Sequence, residues 1–481
     1  MSGPHSLAML HDARTLWLAA ALMLARGAWS RALRARVPER TKRGVVIEES
    51  HLSRLRTRLK RRSRGRPAGK RRLAALRLAG TRVPALDETK HFKMVGTTGT
   101  GKSTAIEELL GDALARGDRA VIADPDGGYR DRFFERHRGD VILNPSDPHS
   151  VRWDPFAECN DAFDIDALSL GLIPSAEDAS SNEWRGYART FLAAVLRSCA
   201  ERPGRSVGEL WRLLAVASSD ELRGVVAGTP AQPFLDGDNA RMFGSIRAVA
   251  VSALAALEYV KAQRSAPFSV RRWVRTVGAS GVLFIPYKAA QIAGLRAMIA
   301  TWMRTAIVET MNGAADVDQR LWFVVDELDA LGAIDGLKDA LARLRKFGGR
   351  CVLGFQSIAQ VSGTYGAAAA QTIVENCGNT LILRCSSSEN GGTSQFASRL
   401  IGEREVIRRQ TSRGSDRGWG LSVRNTRRST NVSEQRVTEF AVMASEIEQL
   451  PDLCGYLKLA SSPAWRKVVI GSSRKYRPRF S

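Results

Sequence analysis

The chain has 481 residues, of which 44% are hydrophobic and 25% are charged, so it is long enough for two or three packed units and too apolar for a disordered protein. The six cysteines form no CxxC pair and have no histidine partner at metal-ligand spacing. They are expected to be buried or free thiols in a reducing compartment, and no metal site is predicted beyond the one that a nucleotide would bring.

The formal net charge of +23 is concentrated at the N-terminus. Residues 1–80 hold 20 Lys and Arg against 4 Asp and Glu, a local charge of +16 that leaves +7 for the other 401 residues. The basic residues are densest at 54–72. This N-terminal arm is either a solvated basic tail or a contact for phosphates of nucleic acid or of anionic lipid.

A short apolar segment at residues 15–25 lies between Arg14 and Arg26. It is too short to cross the bilayer as a helix, which takes about 20 residues. Asp12 and His11 stand where a signal peptide carries basic residues. We therefore predict an amphipathic or packing helix that can lie on a membrane surface.

From Thr81 onward, strand and helix patterns alternate, which predicts an α/β fold with a mostly parallel sheet covered by helices on both faces. Strands are predicted at 92–95, 119–124, 140–144, 281–287, 321–327, 350–356, 379–385 and 455–460, and helices at 102–116 and 334–347.

Between Asn144 and Gly281 the predicted strands stop and helical periodicity takes over. We predict that an all-α domain at 158–267 interrupts an α/β domain formed by 81–157 and 268–481.

A second irregular stretch, residues 411–436, is rich in Ser, Arg and Gly and contains few residues that could form a core. Its composition predicts a flexible basic loop.

The segment GTTGTGKS matches the pattern G-x-x-x-x-G-K-[ST] at Gly96, Gly101, Lys102 and Ser103. Small residues let backbone N–H groups approach phosphate oxygens, and the following helix adds positive charge at its N-terminus. Lys102 is expected to reach the β- and γ-phosphates and Ser103 to ligate Mg²⁺. The predicted nucleotide-binding residues are Gly96, Thr97, Thr98, Gly99, Thr100, Gly101, Lys102, Ser103 and Thr104.

The segment LWFVVDE predicts a buried strand that carries Asp326 and Glu327 at its carboxyl end, where a parallel sheet presents its ligand site. Asp326 would hold the Mg²⁺ hydration shell, so Ser103 and Asp326 are the predicted metal residues. Glu327 would position or deprotonate the attacking water. The carboxylate pair therefore predicts hydrolysis of ATP and not binding alone.

Further candidates are less specific. Gln356 ends the next predicted strand, where it is either a sensor of the γ-phosphate or an ordinary polar residue. Asp124 serves either a turn or the site. Arg343, Arg345 or Lys346 either reaches a neighbouring subunit's site or forms a solvated helix face.

These segments, in this order, resemble the TraD/TrwB-type coupling proteins of conjugative type IV secretion systems. The resemblance rests on GTTGTGKS, VIADPDGG, VILNPSDPHSVRWDPFAE, the helical insertion, VVDELDAL, RKFGGRCVLGFQSIAQV and PDLCGYLKLA, and it covers roughly residues 81–460.

The resemblance implies a RecA-like P-loop NTPase with ATP and Mg²⁺ bound between subunits of a ring of about six. It implies DNA-stimulated ATP hydrolysis that delivers single-stranded DNA from a relaxase complex to the secretion channel at the inner membrane. On this reading Lys102, Asp326, Glu327, Gln356 and Arg345 are the catalytic candidates.

The chain departs from the family pattern at its start, because family members usually begin with a transmembrane hairpin. Membrane attachment is therefore expected to be peripheral or to depend on another protein. Two alternatives stay open: a secretion ATPase or duplex-DNA pump of the same fold, and a docking protein that binds nucleotide without hydrolysis.

Overall fold

The computed structural model describes residues 40–48, 75–417 and 426–471, except the single positions 177, 277, 279 and 390. The apolar segment at 15–25 and the basic stretch at 54–72 lie outside the described residues. The described residues fall into two compact units, one formed by 40–46 and 401–442 and the other by 47–400 and 443–471.

The described strands, in chain order, are β1 Arg40–Gly44, β2 Ile47–Glu48, β3 Arg77–Leu78, β4 Thr81–Arg82, β5 Phe92–Val95, β6 Arg119–Pro125, β7 Val141–Ile142, β8 Arg152–Trp153, β9 Pro267–Phe268, β10 Val282–Tyr287, β11 Leu321–Val325, β12 Gly349–Phe355, β13 Asn379–Ile382, β14 Glu403–Arg417, β15 Thr426–Phe440, β16 Cys454–Lys458 and β17 Trp465–Val469.

The described α-helices are α1 Ala85–Glu88, α2 Lys102–Ala115, α3 Gly128–Phe133, α4 Ala162–Leu172, α5 Ala179–Glu201, α6 Val207–Ala215, α7 Ser219–Val226, α8 Ala240–Ala253, α9 Ala256–Ala262, α10 Val270–Arg275, α11 Ala289–Asn312, α12 Leu337–Arg343, α13 Ile358–Tyr365, α14 Ala367–Asn376, α15 Gly392–Ile401 and α16 Ala444–Glu448.

The larger unit is built on a ten-stranded sheet with the order β2-β17-β16-β13-β5-β12-β11-β6-β10-β7. The seven adjacent strands from β13 to β7 run parallel, whereas β16 pairs with its two neighbours in antiparallel fashion. Every residue of β5, β10, β11 and β13 is buried, as expected for strands covered on both faces. The predicted α/β class with a mostly parallel sheet is confirmed.

The carboxyl ends of the parallel strands meet at one edge of this sheet. The chain leaves β5 at Val95, β6 at Pro125, β11 at Val325 and β12 at Phe355, and the register pairs Val325 with Ala123 and Phe355 with Val95. Polar residues that follow these strands are therefore brought together although they are far apart in the sequence.

From α4 to α9 the described chain contains helices and short 3₁₀ turns. Four of these helices begin with an N-cap side chain that accepts an N–H three residues on: Asp161, Asp178, Ser206 and Ser218. Strands β8 and β9 flank the segment and pair in parallel, so the chain leaves and re-enters the α/β part at adjacent positions. The domain limits drawn from the sequence stay a prediction.

The prediction of an irregular loop at 411–436 is wrong for the residues that the structure describes there. Residues 411–417 and 426–436 belong to β14 and β15, which pair continuously from Glu403 opposite Phe440 to Arg417 opposite Thr426. Strand β1 adds to β14 in antiparallel fashion. Main-chain pairing defines this ribbon, so a sequence search for apolar core residues does not detect it.

A buried histidine lies at the start of β5. The Nε2 atom of His91 is 2.9 Å from the carbonyl oxygen of Leu341, and its Nδ1 accepts the N–H of Cys351 at 3.0 Å. Burial lowers the pKa of His91 to about 4, and the nearby charge of Arg350 adds to the effect. Because Nδ1 accepts an N–H it carries no proton, and only Nε2, which faces a carbonyl oxygen, carries one. The ring is therefore the neutral imidazole.

Among the described helices, none is by itself long and apolar enough to cross a bilayer. Helices α8 and α9, bent by 61° at their junction, reach that length and apolar character only when they are taken together.

Candidate active site

Residues 96–101 form a tight turn between β5 and α2. Gly101 is the N-cap of α2 and has a φ of +110°, a backbone conformation that residues with a Cβ rarely adopt. A Cβ on Gly96 would lie 2.8 Å from the Cβ of Leu383. The two glycines of the motif are thus required for different reasons, backbone conformation at Gly101 and close packing at Gly96.

The side chain of Lys102 lies within this turn. Its Nζ donates to the carbonyl oxygens of Gly96 at 2.5 Å and of Thr97 at 3.2 Å. Burial lowers the pKa of Lys102, while the charges of Asp326 and Glu327 oppose that shift. The ammonium group is therefore held at the turn by backbone oxygens and balanced by the two carboxylates.

One carboxylate oxygen joins α2 to the end of β11. The hydroxyl of Ser103 donates to Oδ2 of Asp326 at 2.6 Å, and the hydroxyl of Tyr129 donates to the same oxygen at 2.8 Å. The other oxygen, Oδ1, is buried and has no hydrogen-bond partner among the described residues. Burial and the adjacent Asp326 raise the pKa of Tyr129 well above its ordinary value, so its hydroxyl remains a donor.

A second hydrogen-bonded chain connects the turn to Glu327. The hydroxyl of Thr98 donates to Oε1 of Gln356 at 2.8 Å, and Nε2 of Gln356 donates to Oε1 of Glu327 at 3.1 Å. Burial and then the neighbouring charge of Asp326 raise the pKa of Glu327, partly offset by the Gln356 hydrogen bond. A raised pKa makes this carboxylate a stronger base than an ordinary surface glutamate.

These groups surround one cavity of about 200 Å³ at the carboxyl edge of the sheet. The residues that line it are Thr98, Gly99, Gly101, Lys102, Ser103, Thr104, Asp326, Glu327, Gln356 and Leu453. Gly96, Thr97 and Thr100 belong to the same turn but do not line the cavity. Residues predicted from three distant parts of the sequence thus share one crevice.

Leu453 was not a predicted site residue. It has φ +61°, its N–H donates to the carbonyl oxygen of Thr100 at 3.0 Å, and its Cδ2 lies 2.7 Å from where a Cβ on Gly101 would stand. Its own carbonyl accepts the N–H of Ile470. The segment before β16 therefore buttresses the turn, and no local signal in the sequence marks this long-range contact.

Asp124 has a role in the turn that follows β6. It is fully buried, and its two carboxylate oxygens accept the N–H groups of Tyr129 at 3.0 Å and Arg130 at 2.7 Å. Burial raises the pKa of Asp124 to about 6. Since Asp124 does not line the cavity, the structure favours the turn over direct participation in the site.

The basic candidates at the end of α12 and just after it lie away from this cavity. Arg343, Arg345 and Lys346 are exposed and immediately precede β12, so they stand at the amino edge of the parallel strands. The cavity of the same chain lies at the carboxyl edge. These side chains therefore take no part in the site of their own chain.

The oxygen donors of this site suit Mg²⁺. Ser103 and Asp326 supply hard oxygen atoms, and the buried, unpartnered Oδ1 of Asp326 can accept from metal-bound water. Among the described residues, no group of three or more His, Cys, Asp or Glu side chains could hold a metal ion. Mg²⁺ is commonly held by one or two protein oxygens together with substrate phosphates, and the residues present fit that pattern.

Comparison with known protein families gives a match over most of the chain. The family model described as "Type IV secretion-system coupling protein DNA-binding domain" matches residues 75–470. The coupling protein TraD of Escherichia coli (strain K12) is 31% identical over 381 residues, which cover 77% of this chain and 51% of TraD. VirD4 of Rhizobium rhizogenes is 24% identical over 257 residues, which cover 51% of this chain and 38% of VirD4. The chain thus spans about half the length, or less, of these curated relatives.

Solved structures of the conjugative coupling protein TrwB are similar over nearly the whole chain. The unbound TrwBdeltaN70 structure has a TM-score of 0.76 and 29% identity, covering 93% of this chain and 98% of that one. TrwB with the non-hydrolysable ATP analogue ADPNP has the same TM-score and coverage. TrwB with ADP and Mg²⁺ has a TM-score of 0.75.

Proposed function

This chain belongs to the type IV secretion-system coupling protein family, and from that premise we propose that it is an ATP-driven DNA-translocating coupling protein. It would link a relaxase–DNA complex to a conjugative secretion channel. The observation that carries the proposal is the single cavity that joins the phosphate-binding turn to Asp326 and Glu327. A protein that only bound nucleotide would not need a second, hydrogen-bonded carboxylate beside the triphosphate position.

Binding of ATP is assigned to residues 96–104. The N-terminus of α2 and the backbone N–H groups of the turn would receive the phosphates, and Lys102 would exchange its carbonyl partners for phosphate oxygens. The TrwB complexes with ADPNP and with ADP and Mg²⁺ support this assignment by similarity. Ser103 and Asp326 would hold Mg²⁺, which neutralises charge on the phosphates when it is bound.

Hydrolysis is assigned to Glu327. Its raised pKa and its position in the cavity suit a group that orients water and takes a proton from it. Gln356 contacts both Glu327 and Thr98 of the turn, so a change at the γ-phosphate position would alter the hydrogen bonding of the base. Gln356 is therefore the proposed nucleotide sensor.

A ring of about six subunits is proposed from the family resemblance, and the position of Arg345 supports contact between subunits. Arg345 is exposed at the edge of the sheet opposite its own cavity, a position that leaves it free to reach the site of a neighbour. Contacts of one face with a different face of the next subunit close naturally into a ring. Arg345 is proposed as the arginine supplied in trans.

Single-stranded DNA is the proposed polymer substrate, and the relaxase complex and the secretion channel are the proposed protein partners. The net charge of +23 suits contact with a phosphate backbone without reading of bases. We propose that the protein acts at the cytoplasmic face of the inner membrane.

The proposal is tested by phosphate release from ATP with single-stranded DNA, with duplex DNA of equal length and without DNA, at increasing protein concentration. We expect stimulation by single-stranded DNA and a specific activity that rises with concentration, because sites shared between subunits need assembly. Lys102→Ala is the control for contaminating ATPases.

Two other outcomes would identify the alternatives. Stimulation by duplex DNA alone would favour a duplex-DNA pump, and activity that no DNA affects would favour a secretion ATPase that works on polypeptide. Nucleotide binding without any turnover would favour a docking protein and would contradict the proposed motor.

A further inference from the structure

The Asp326 carboxylate receives two hydroxyl donors on one of its oxygens. Oδ2 accepts from Ser103 at 2.6 Å and from Tyr129 at 2.8 Å, whereas the buried Oδ1 accepts from no described residue. Ser103 belongs to the phosphate-binding turn, but Tyr129 does not line the cavity. The tyrosine hydroxyl reaches the carboxylate from the side of the protein interior.

Tyr129 is held rigidly in this position. Its side chain is 3% exposed and belongs to the same buried core cluster as Ile106 and Phe133. Its backbone N–H donates to the side chain of Asp124. Asp124 directly follows the last residue of β6 that pairs with β11, at the end of the strands nearest the cavity. The turn between them includes Asp126 with φ +58° and Gly127 with φ +77°, which directs the chain back towards the strand ends.

A carboxylate can rotate about its Cβ–Cγ bond unless hydrogen bonds hold it in place. Either each of its oxygens must accept a hydrogen bond, or one oxygen must accept two. Two donors on Oδ2 define the plane of the Asp326 carboxylate and leave Oδ1 as the free acceptor. Ser103 has a single hydroxyl proton, which it gives to Oδ2, so its lone pairs stay available to a cation. The second donor must then come from another residue, and Tyr129 is the residue that supplies it.

We propose that Tyr129 is a positioning residue that orients the Asp326 carboxylate for a nucleotide-bound divalent cation. The inference rests on the proposed function, since it concerns the same site. Tyr129 touches neither the nucleotide nor the cation, and it acts through Asp326. Groups that orient a metal ligand in this way typically change metal affinity by about 10- to 100-fold when they are removed.

The test compares the wild-type chain with Tyr129→Phe, which keeps the buried ring and removes only the hydroxyl. Tyr365→Phe is a matched control, because the Tyr365 hydroxyl is also hydrogen-bonded, but only to the backbone of Ile334 and Gly332, and Tyr365 does not line the cavity. Binding of a fluorescent non-hydrolysable ATP analogue is measured over a Mg²⁺ titration and again in EDTA. Thermal unfolding of each variant is recorded alongside.

We expect Tyr129→Phe to raise the Mg²⁺ concentration for half-maximal binding by about tenfold, with affinity in EDTA within about twofold of wild type. Tyr365→Phe should leave both values unchanged. If the hydroxyl is purely structural, its loss in Tyr129→Phe should lower the unfolding temperature without changing the Mg²⁺ dependence of binding. That result would overturn this inference and leave the proposed function standing. A wild-type chain that binds no nucleotide would overturn the proposed function and this inference with it.

Discussion

Replacing Glu327 by glutamine removes a base from the cavity while it leaves the shape of the side chain unchanged. The amide oxygen of glutamine can still accept from Nε2 of Gln356, a contact of 3.1 Å in the wild type, so the cavity should keep its structure. What is lost is the ability to take a proton from water. Burial and the neighbouring charge of Asp326 raise the pKa of Glu327, which favours proton uptake by the wild-type carboxylate.

The expected loss in turnover follows from the role of a general base, which contributes roughly 10²- to 10⁴-fold to a rate. This range corresponds to about 3 to 5 kcal/mol of transition-state stabilisation. Binding of ATP should be retained or strengthened, because the substitution removes a negative charge from a site that already contains Asp326. Turnover and binding should therefore separate in this variant.

The assay is single-turnover phosphate release at saturating Mg²⁺ and ATP, together with equilibrium binding of an ATP analogue. Glu107→Gln is the matched control: Glu107 is also a half-buried carboxylate with a raised pKa, but it pairs with Arg132 and does not line the cavity. Turnover of the control should stay within about threefold of wild type. Hydrolysis by Glu327→Gln at the wild-type rate would refute the assignment of the base.

Three further predictions concern the rest of the chain. The pKa of His91 is lowered in the folded state to about 4. The free energy of unfolding is therefore highest above pH 6.5, and it decreases as pH falls towards and through the folded pKa, because the unfolded state then binds the proton more readily. At pH 5 the free energy of unfolding is lower by about 2 kcal/mol. Urea unfolding should show this loss in wild type and in the exposed-site control His149→Gln but not in His91→Gln, and an equal pH dependence in all three would contradict it. Gly101→Ala should destabilise the fold by about 1 to 3 kcal/mol, because alanine is strained at a φ of +110° and its Cβ would meet the side chain of Leu453. In a double-mutant cycle with Leu453→Ala, we expect a coupling energy above about 0.5 kcal/mol. Additive effects of the two substitutions would exclude the contact. Replacing the Lys and Arg residues at 54–72 by Gln should make the plot of log binding constant against log salt concentration less steep for single-stranded DNA, by about 0.7 for each phosphate contact that is lost. An unchanged slope would show that this stretch does not contact DNA.

The sequence was informative wherever function and local structure use the same residues. The strand, turn and helix around Lys102 and the buried strand before Asp326 have patterns that are set by neighbours in the chain, so their elements could be predicted within a few residues. The order of those elements also predicted the parallel sheet, because alternating strands and helices leave few other ways to cover both faces of a sheet.

Long-range contacts could not be predicted in this way. Leu453 meets the turn at Gly101 only because β16 pairs back onto β13, and Tyr129 reaches Asp326 only because β6 and β11 are neighbours in the sheet. The ribbon of β14 and β15 was missed because Ser, Thr, Arg and Gly residues pair through the main chain without an apolar pattern. Side-chain roles that depend on sheet order or on backbone pairing leave no local signal.

The central claim is that the turn around Lys102 and the carboxylates after β11 hold the same nucleotide and its cation. Mn²⁺ in place of Mg²⁺ tests it directly, by electron paramagnetic resonance of the protein with a non-hydrolysable ATP analogue. We predict bound Mn²⁺ with phosphorus hyperfine coupling in the wild type, and an affinity for Mn²⁺ that falls by at least about tenfold in Asp326→Asn and also falls in Lys102→Ala. An affinity and a phosphorus coupling that are unchanged in Asp326→Asn would contradict the shared site and the motor built on it.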